Sequence, residues 1–154
     1  MPAELVRLEL VPEIWLPEPA LRAERERARF LLHLVKHRGA LKNRVHSVLI
    51  AHGIPTPSSD LFGPRGRRLS AHVSLPGRWR SSTAATLAPI EVLDERIAAG
   101  ERELHALGAE HRYVPLPITC PGSAWILAFT IACESGECGR FPSPSKLIGY
   151  SGLT

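Results

Sequence analysis

The chain has 154 residues, room for one domain of ordinary size or two small ones, and its 44% hydrophobic content can build a core, which excludes a disordered tail. Aromatics are only 6% and alternating Val/Ile/Thr runs are scarce, whereas Leu, Ala, Arg and Glu fill the two longest stretches without interior Pro; an all-α fold is expected. The formal charge of +4 excludes an acidic protein. Three Cys, with no legible signal peptide or apolar run of spanning length, point to a reducing cytoplasm without disulfides or membrane insertion.

In chain order, Pro2 to Leu10 fits a short helix, and Pro12, Pro17 and Pro19 then impose an extended connector, because Pro resists helix interiors and restricts the residue before it. From Ala20 to His52 there is no Pro, and Ala28, Leu31, Leu32, Val35, Leu41, Val45, Val48 and Leu49 recur at helical spacing, with Gly53 as the stop. Such a helix is roughly 50 Å long and cannot bury itself, so its apolar stripe needs a partner helix. Residues 53–89 carry several Pro and Gly, the apolar pair Leu61 and Phe62, and the basic cluster Arg65, Arg67 and Arg68, and read as connectors around short helices. From Pro89 to Leu107 the residues Ile90, Leu93, Ile97, Leu104 and Leu107 occupy heptad a and d positions, Gly100 filling the weak slot. This stripe serves either as a coiled-coil arm for oligomerisation or as the face that packs on the preceding long helix. Both alternatives give an antiparallel helical pair.

A turn-rich stretch from Gly108 to Pro117 precedes Thr119-Cys120-Pro121-Gly122-Ser123-Ala124-Trp125. An apolar run to Cys133 then reads as a buried helix. Ser143-Pro144-Ser145-Lys146 supplies an N-cap and a first-turn Pro for a last helix through Tyr150. The expected organisation is a leading connector at 1–19, a long-helix and coiled-coil region at 20–108, and a small helix-hairpin-helix-like bundle at 109–154.

Charge is where the sequence points to a partner. Between Arg22 and Arg44 stand eight Lys/Arg against two Glu, and Arg22, Arg29 and Lys36 are seven apart on one face, with Arg25 and His33 close by and Lys42 and Arg44 further on. Cations at that pitch follow a phosphate backbone and release counterions, giving sequence-independent, salt-sensitive binding. The alternative is a solvated helix face with Glu24 and Glu26 as intrahelical partners. Pro121-Gly122 resembles the turn of a helix-hairpin-helix, whose backbone N–H groups face a phosphate, or is a plain helix-start turn. Cys133 and Cys138, with Cys120, His105 and His111 upstream, lack the paired spacing of a zinc site, so no metal ligand is assigned. An enzyme using Cys120, Cys133 or Cys138 requires a His that no spacing places beside a Cys. No phosphate loop or paired-His helix motif is present.

Several segments together resemble the insertion sequence 110 family of transposases: Leu10-Val11-Pro12-Glu13-Ile14-Trp15-Leu16-Pro17, Leu41-Lys42-Asn43-Arg44-Val45-His46, Leu61-Phe62-Gly63 with Gly66-Arg67, Pro121-Gly122, and Arg140-Phe141-Pro142-Ser143-Pro144 with Tyr150-Ser151-Gly152-Leu153. The ordered match covers nearly the whole chain. The resemblance implies a transposase acting in DNA transposition and recombination, in which a RuvC-like domain with four acidic metal ligands comes first and a C-terminal domain carries a nucleophilic Ser. By that alignment the chain begins after the last acidic ligand and stops before the Ser. The expected product is therefore a truncated, catalytically inactive nucleic-acid-binding fragment, without cofactor of its own, a divalent metal such as Mg belonging to the acidic domain. The implied partners are DNA, an element-encoded guide RNA, and further copies or a full-length transposase. The resemblance carries over the basic helix around Lys42 and Arg44 and the Gly122 turn; with the residues read from charge and spacing, the expected nucleic-acid contacts are Arg22, Arg25, Arg29, Lys36, Lys42, Arg44, Arg65, Arg67, Arg68, Gly122 and Lys146. Departures from the family pattern are Ser123 and Ala124, where an apolar residue and a second Gly are usual, and Ser135, where an apolar residue is usual. A hydroxyl buried there without a partner costs on the order of 1–3 kcal/mol, as in a decaying mobile element. The second functional class is a protein-interaction module whose helices assemble with, or inhibit, an intact transposase.

Overall fold

The computed structural model describes residues 4, 7–8, 15–55, 61–63 and 75–152. Among these the chain is all-α: α1 (Pro19–Ala51), α2 (Gly77–Gly108), α3 (Pro115–Ile118), α4 (Trp125–Ser135) and α5 (Pro144–Tyr150), with a 3-10 turn at Cys138–Arg140. Of the expected first helix, Glu4 and Arg7 are helical, the Leu8 N–H donating to Glu4 O at 3.0 Å; its remaining residues lie outside the described ones.

Pro19 opens α1 at a position where its missing N–H costs nothing. At the other end Gly53 adopts φ 64°, its N–H donates to Ile50 O at 3.0 Å and the Ile54 N–H to Leu49 O at 2.9 Å. That pair of bonds is a Schellman closure, which needs the left-handed conformation glycine adopts without strain.

Helix α2 begins twelve residues before the expected start at Pro89, which lies inside it. A Pro there removes a hydrogen bond to Ala85 and costs about 3 kcal/mol in an average helix. Here Ala85 and Pro89 are exposed, so water reaches the freed carbonyl, while Thr86, Leu87 and Ile90 on the opposite side pack toward α1. Burial on the inner side outweighs the proline.

The two long helices run antiparallel. Arg27 Nε meets Glu103 Oε1 and Arg38 Nη1 meets Asp94 Oδ1, each at 3.0 Å, so positions rise along α1 as they fall along α2. Between these pairs a Cβ on Gly100 would stand 3.1 Å from Leu31 Cδ1; the weak heptad slot is where a side chain of α1 enters the seam.

Two core clusters hold the hairpin. One joins Ala28 and Leu31 of α1, Ile97 and Leu104 of α2, Val114, and Ala128, Phe129, Ala132 and Cys133 of α4. The other, toward the far end, joins Val45, Val48 and Leu49, Leu61, Phe62, Leu75 and Ile90. Residues on both sides of the expected boundary at Gly108 thus share one core.

The oligomerisation assignment is corrected accordingly. Ile90, Ile97 and Leu104 are buried and Leu93 packs against the first cluster, all within the chain, and only Leu107 is exposed. A facing helix of matching length was available in the same chain. Leu32, expected in the core, is also exposed. Helix α4 buries one face only, leaving Leu127 and Ile131 exposed. Ser143 stands at the N-cap of α5 but its hydroxyl makes no cap bond, and Pro144 alone marks the start.

Candidate nucleic-acid interface

The basic segment lies on α1, and its cations separate into three groups. Arg22, Lys36 and Arg44 are exposed, and among the described residues no ion pair engages them. At 1.5 Å per residue the first two are about 21 Å apart along the helix and Arg44 is about 12 Å further.

Arg25 is a correction to the expected contact set. Its side chain is buried, its Nε donates to Cys133 O and its Nη2 to Glu134 O, both at 2.8 Å, and its guanidinium lies 5.3 Å from the Trp15 ring centre. Carbonyls at the end of a helix lack intrahelical donors, and a buried guanidinium supplies them. Arg25 therefore ties α1 to α4 and is not available to phosphate.

Arg29 is exposed but engaged. Its Nε and Nη2 meet the two carboxylate oxygens of Glu134 at 2.6 and 2.8 Å, a two-pronged pairing that also holds its pKa above the usual value. Lys42 is half-buried, with Nζ 5.0 Å from the Phe62 ring centre. A phosphate has to compete with Glu134 for Arg29 and with an aromatic face for Lys42.

Glu134 is the residue that sequence reasoning missed. Besides the Arg29 pair, its backbone carbonyl accepts from Arg25 and from Tyr150 Oη at 3.2 Å, so α1, α4 and α5 meet on it. No spacing signals a partner more than a hundred positions away. Arg140 was missed as a structural residue too: its guanidinium lies 4.0 Å from the Trp15 and Phe141 ring centres and 4.5 Å from that of Tyr150, and donates to Ser135 O. Lys146 is exposed on α5, one turn before Tyr150, beside the Arg29 end of α1.

Gly122 forms the third position of a turn from Cys120 to Ser123, with Pro121 second, φ 85° at the glycine and the Ser123 N–H donating to Cys120 O at 3.0 Å. This is a type II β-turn, and the positive φ alone accounts for the glycine. The element before it is the single turn of α3. Ser123 Oγ is buried with no hydrogen-bond partner, matching the cost anticipated for a hydroxyl at this position. Arg65, Arg67 and Arg68 lie outside the described residues.

The cysteines do not form a nucleophilic site. Cys120 is exposed, Cys138 is half-buried with its Sγ near Gly136 O, and Cys133 is buried. Burial, and then the neighbouring Glu24 carboxylate, push the Cys133 thiol up to about 12, so it is not a thiolate near neutrality. His105 stacks on Trp125 at 3.9 Å. Of the sequence-suggested Cys and His residues, Cys133 and His111 come together, with Glu24 beside them.

No helix among the described residues is long and apolar enough to cross a membrane. No family model, no curated protein and no solved structure matches the chain.

Proposed function

We propose that this protein acts in DNA transposition as part of an insertion-sequence transposase, its described helices serving as a nucleic-acid-binding scaffold. The observation that carries the binding reading is the set Arg22, Lys36 and Arg44, at the surface and outside any ion pair among the described residues, along one helix of a chain with formal charge +4. The transposase assignment rests on the ordered segments that resemble the insertion sequence 110 family. Its partner is the phosphate backbone of DNA or of an element-encoded guide RNA, its compartment the cytoplasm, and its assembly is with further copies or with a full-length transposase.

The interaction-module reading loses the feature that recommended it, since the apolar stripe is consumed inside the chain. The test is anisotropy with a labelled DNA duplex and a structured RNA over a range of salt. Replacing Arg22, Lys36 and Arg44 with Gln is expected to weaken binding across all sequences and to lower the salt slope by about one for each phosphate no longer neutralised. Unchanged affinity and slope would overturn the assignment to this face. Arg29 is left out of the triple variant because its removal also breaks the Glu134 pairing.

A further inference from the structure

Glu24 presents a half-buried carboxylate, and its one hydrogen-bond partner among the described residues is a weak donor, the Cys133 thiol at 3.9 Å. The salt bridges among the described residues leave Glu24 without a cation, although α1 is rich in arginine. The carboxylate thus keeps lone pairs that no cation among the described residues occupies, open to water or to a metal ion. His111, in the turn between α2 and α3, completes the group: one carboxylate oxygen, one ring nitrogen and Cys133 Sγ all lie within 4.8 Å of one another.

We propose that Glu24, His111 and Cys133 form a three-ligand site for a borderline-soft divalent cation of the zinc class, with the fourth position open to water. Thiolate, imidazole and carboxylate together are the donor types zinc takes, whereas magnesium and calcium prefer all-oxygen shells. With metal–ligand bonds of about 2.0–2.3 Å, tetrahedral ligand atoms stand about 3.3–3.7 Å apart. The present cluster is wider by roughly one ångström, a change within reach of rotation about the Glu24 and His111 side-chain bonds.

Two further features bear on the site. The Tyr113 N–H donates to His111 Nδ1 at 3.2 Å, so the cation would either replace that donor at Nδ1 or be taken at Nε2 with the ring proton moved to Nδ1. Arg25 holds the Cys133 carbonyl, fixing the residue that carries the sulfur. Uptake exchanges the thiol proton, released to solvent, for the cation, and no electron is transferred. Loaded, the site would staple α1, the turn after α2, and α4 at one point, whether or not the chain binds nucleic acid. Its ligands come from three distant parts of the sequence, so it has no motif.

The test uses the purified full chain, stripped with chelator and titrated with cobalt(II) alone. One equivalent is expected to give a thiolate-to-cobalt charge-transfer band with tetrahedral d–d bands. A Cys120→Ser/Cys138→Ser variant, which leaves the core intact, keeps both. Cys133→Ser loses the charge-transfer band, and Glu24→Gln and His111→Ala each weaken binding about tenfold or more, with helix content checked by circular dichroism. No stoichiometric cobalt uptake by the wild-type chain, or a band that disappears with Cys120 and Cys138, overturns the site.

Discussion

Arg25 and Arg29 stand one helical turn apart on α1 and both reach toward the end of α4, yet their removal should differ. Arg25 donates to two backbone carbonyls, and since Glu134 O keeps its bond from Tyr150 Oη, Arg25→Ala leaves the buried Cys133 carbonyl unpaired and should lower stability by about 1–3 kcal/mol in denaturant unfolding. Arg29→Ala removes an exposed pair and should cost about 0.2–1 kcal/mol, less at high salt. Sequence shows both as members of one basic run; it cannot show that the carbonyls of Cys133 and Glu134 lie against one of them. The Cys133 thiol permits a second prediction. Unfolded it titrates near 9, and folded, chiefly through burial, near 12. The stability gained by keeping it neutral is whole below pH 9 and is lost as pH rises toward 12. Cys133→Ala should therefore show a shallower decline than wild type between pH 9 and 12, whatever its stability at neutrality. Equal slopes would mean that the thiol is not screened from water.

At the level of elements, α2 ends where it does because α4 lies across it. A Cβ on Gly108 would fall 2.5 Å from Phe129 Cδ2 and 2.7 Å from Trp125 Cη2, rings that stack on each other. Gly108→Ala, a gain in an isolated helix, should here cost about 1–3 kcal/mol and lower the melting temperature. The composition and periodicity of α1 made it legible to within a residue at each end, because Pro19 and Gly53 punctuate it. The start of α2 was not legible, since Pro89 carries a helix-breaking signal that only the packing of Thr86, Leu87 and Ile90 overrides. Likewise the heptad stripe announced a helical pair, but nothing local to it distinguishes a facing helix in the same chain from one in another copy. Spacing and charge single out Arg22, Lys36 and Arg44, which the fold leaves at the surface, whereas the pairing of Arg29 with Glu134 required the fold.

Across the whole molecule, the hairpin is fastened by two clusters of different make-up. Near its α4 end, nine buried residues from four parts of the chain interlock, with Arg25 bonding two segments and Glu134 a third. At the far end, closure depends on Leu61, Phe62 and Leu75 folding over Val45, Val48, Leu49 and Ile90. Amide hydrogens around Ala28 to Leu31 and Ala128 to Cys133, in the core that α1, α2 and α4 close together, should be among the slowest to exchange with deuterium, which mass spectrometry of timed digests would check. One unbroken helix also fixes the reach of what it carries: Lys36 and Arg44 ride on the same rod, so a molecule held by both would have to present its charges about 12 Å apart.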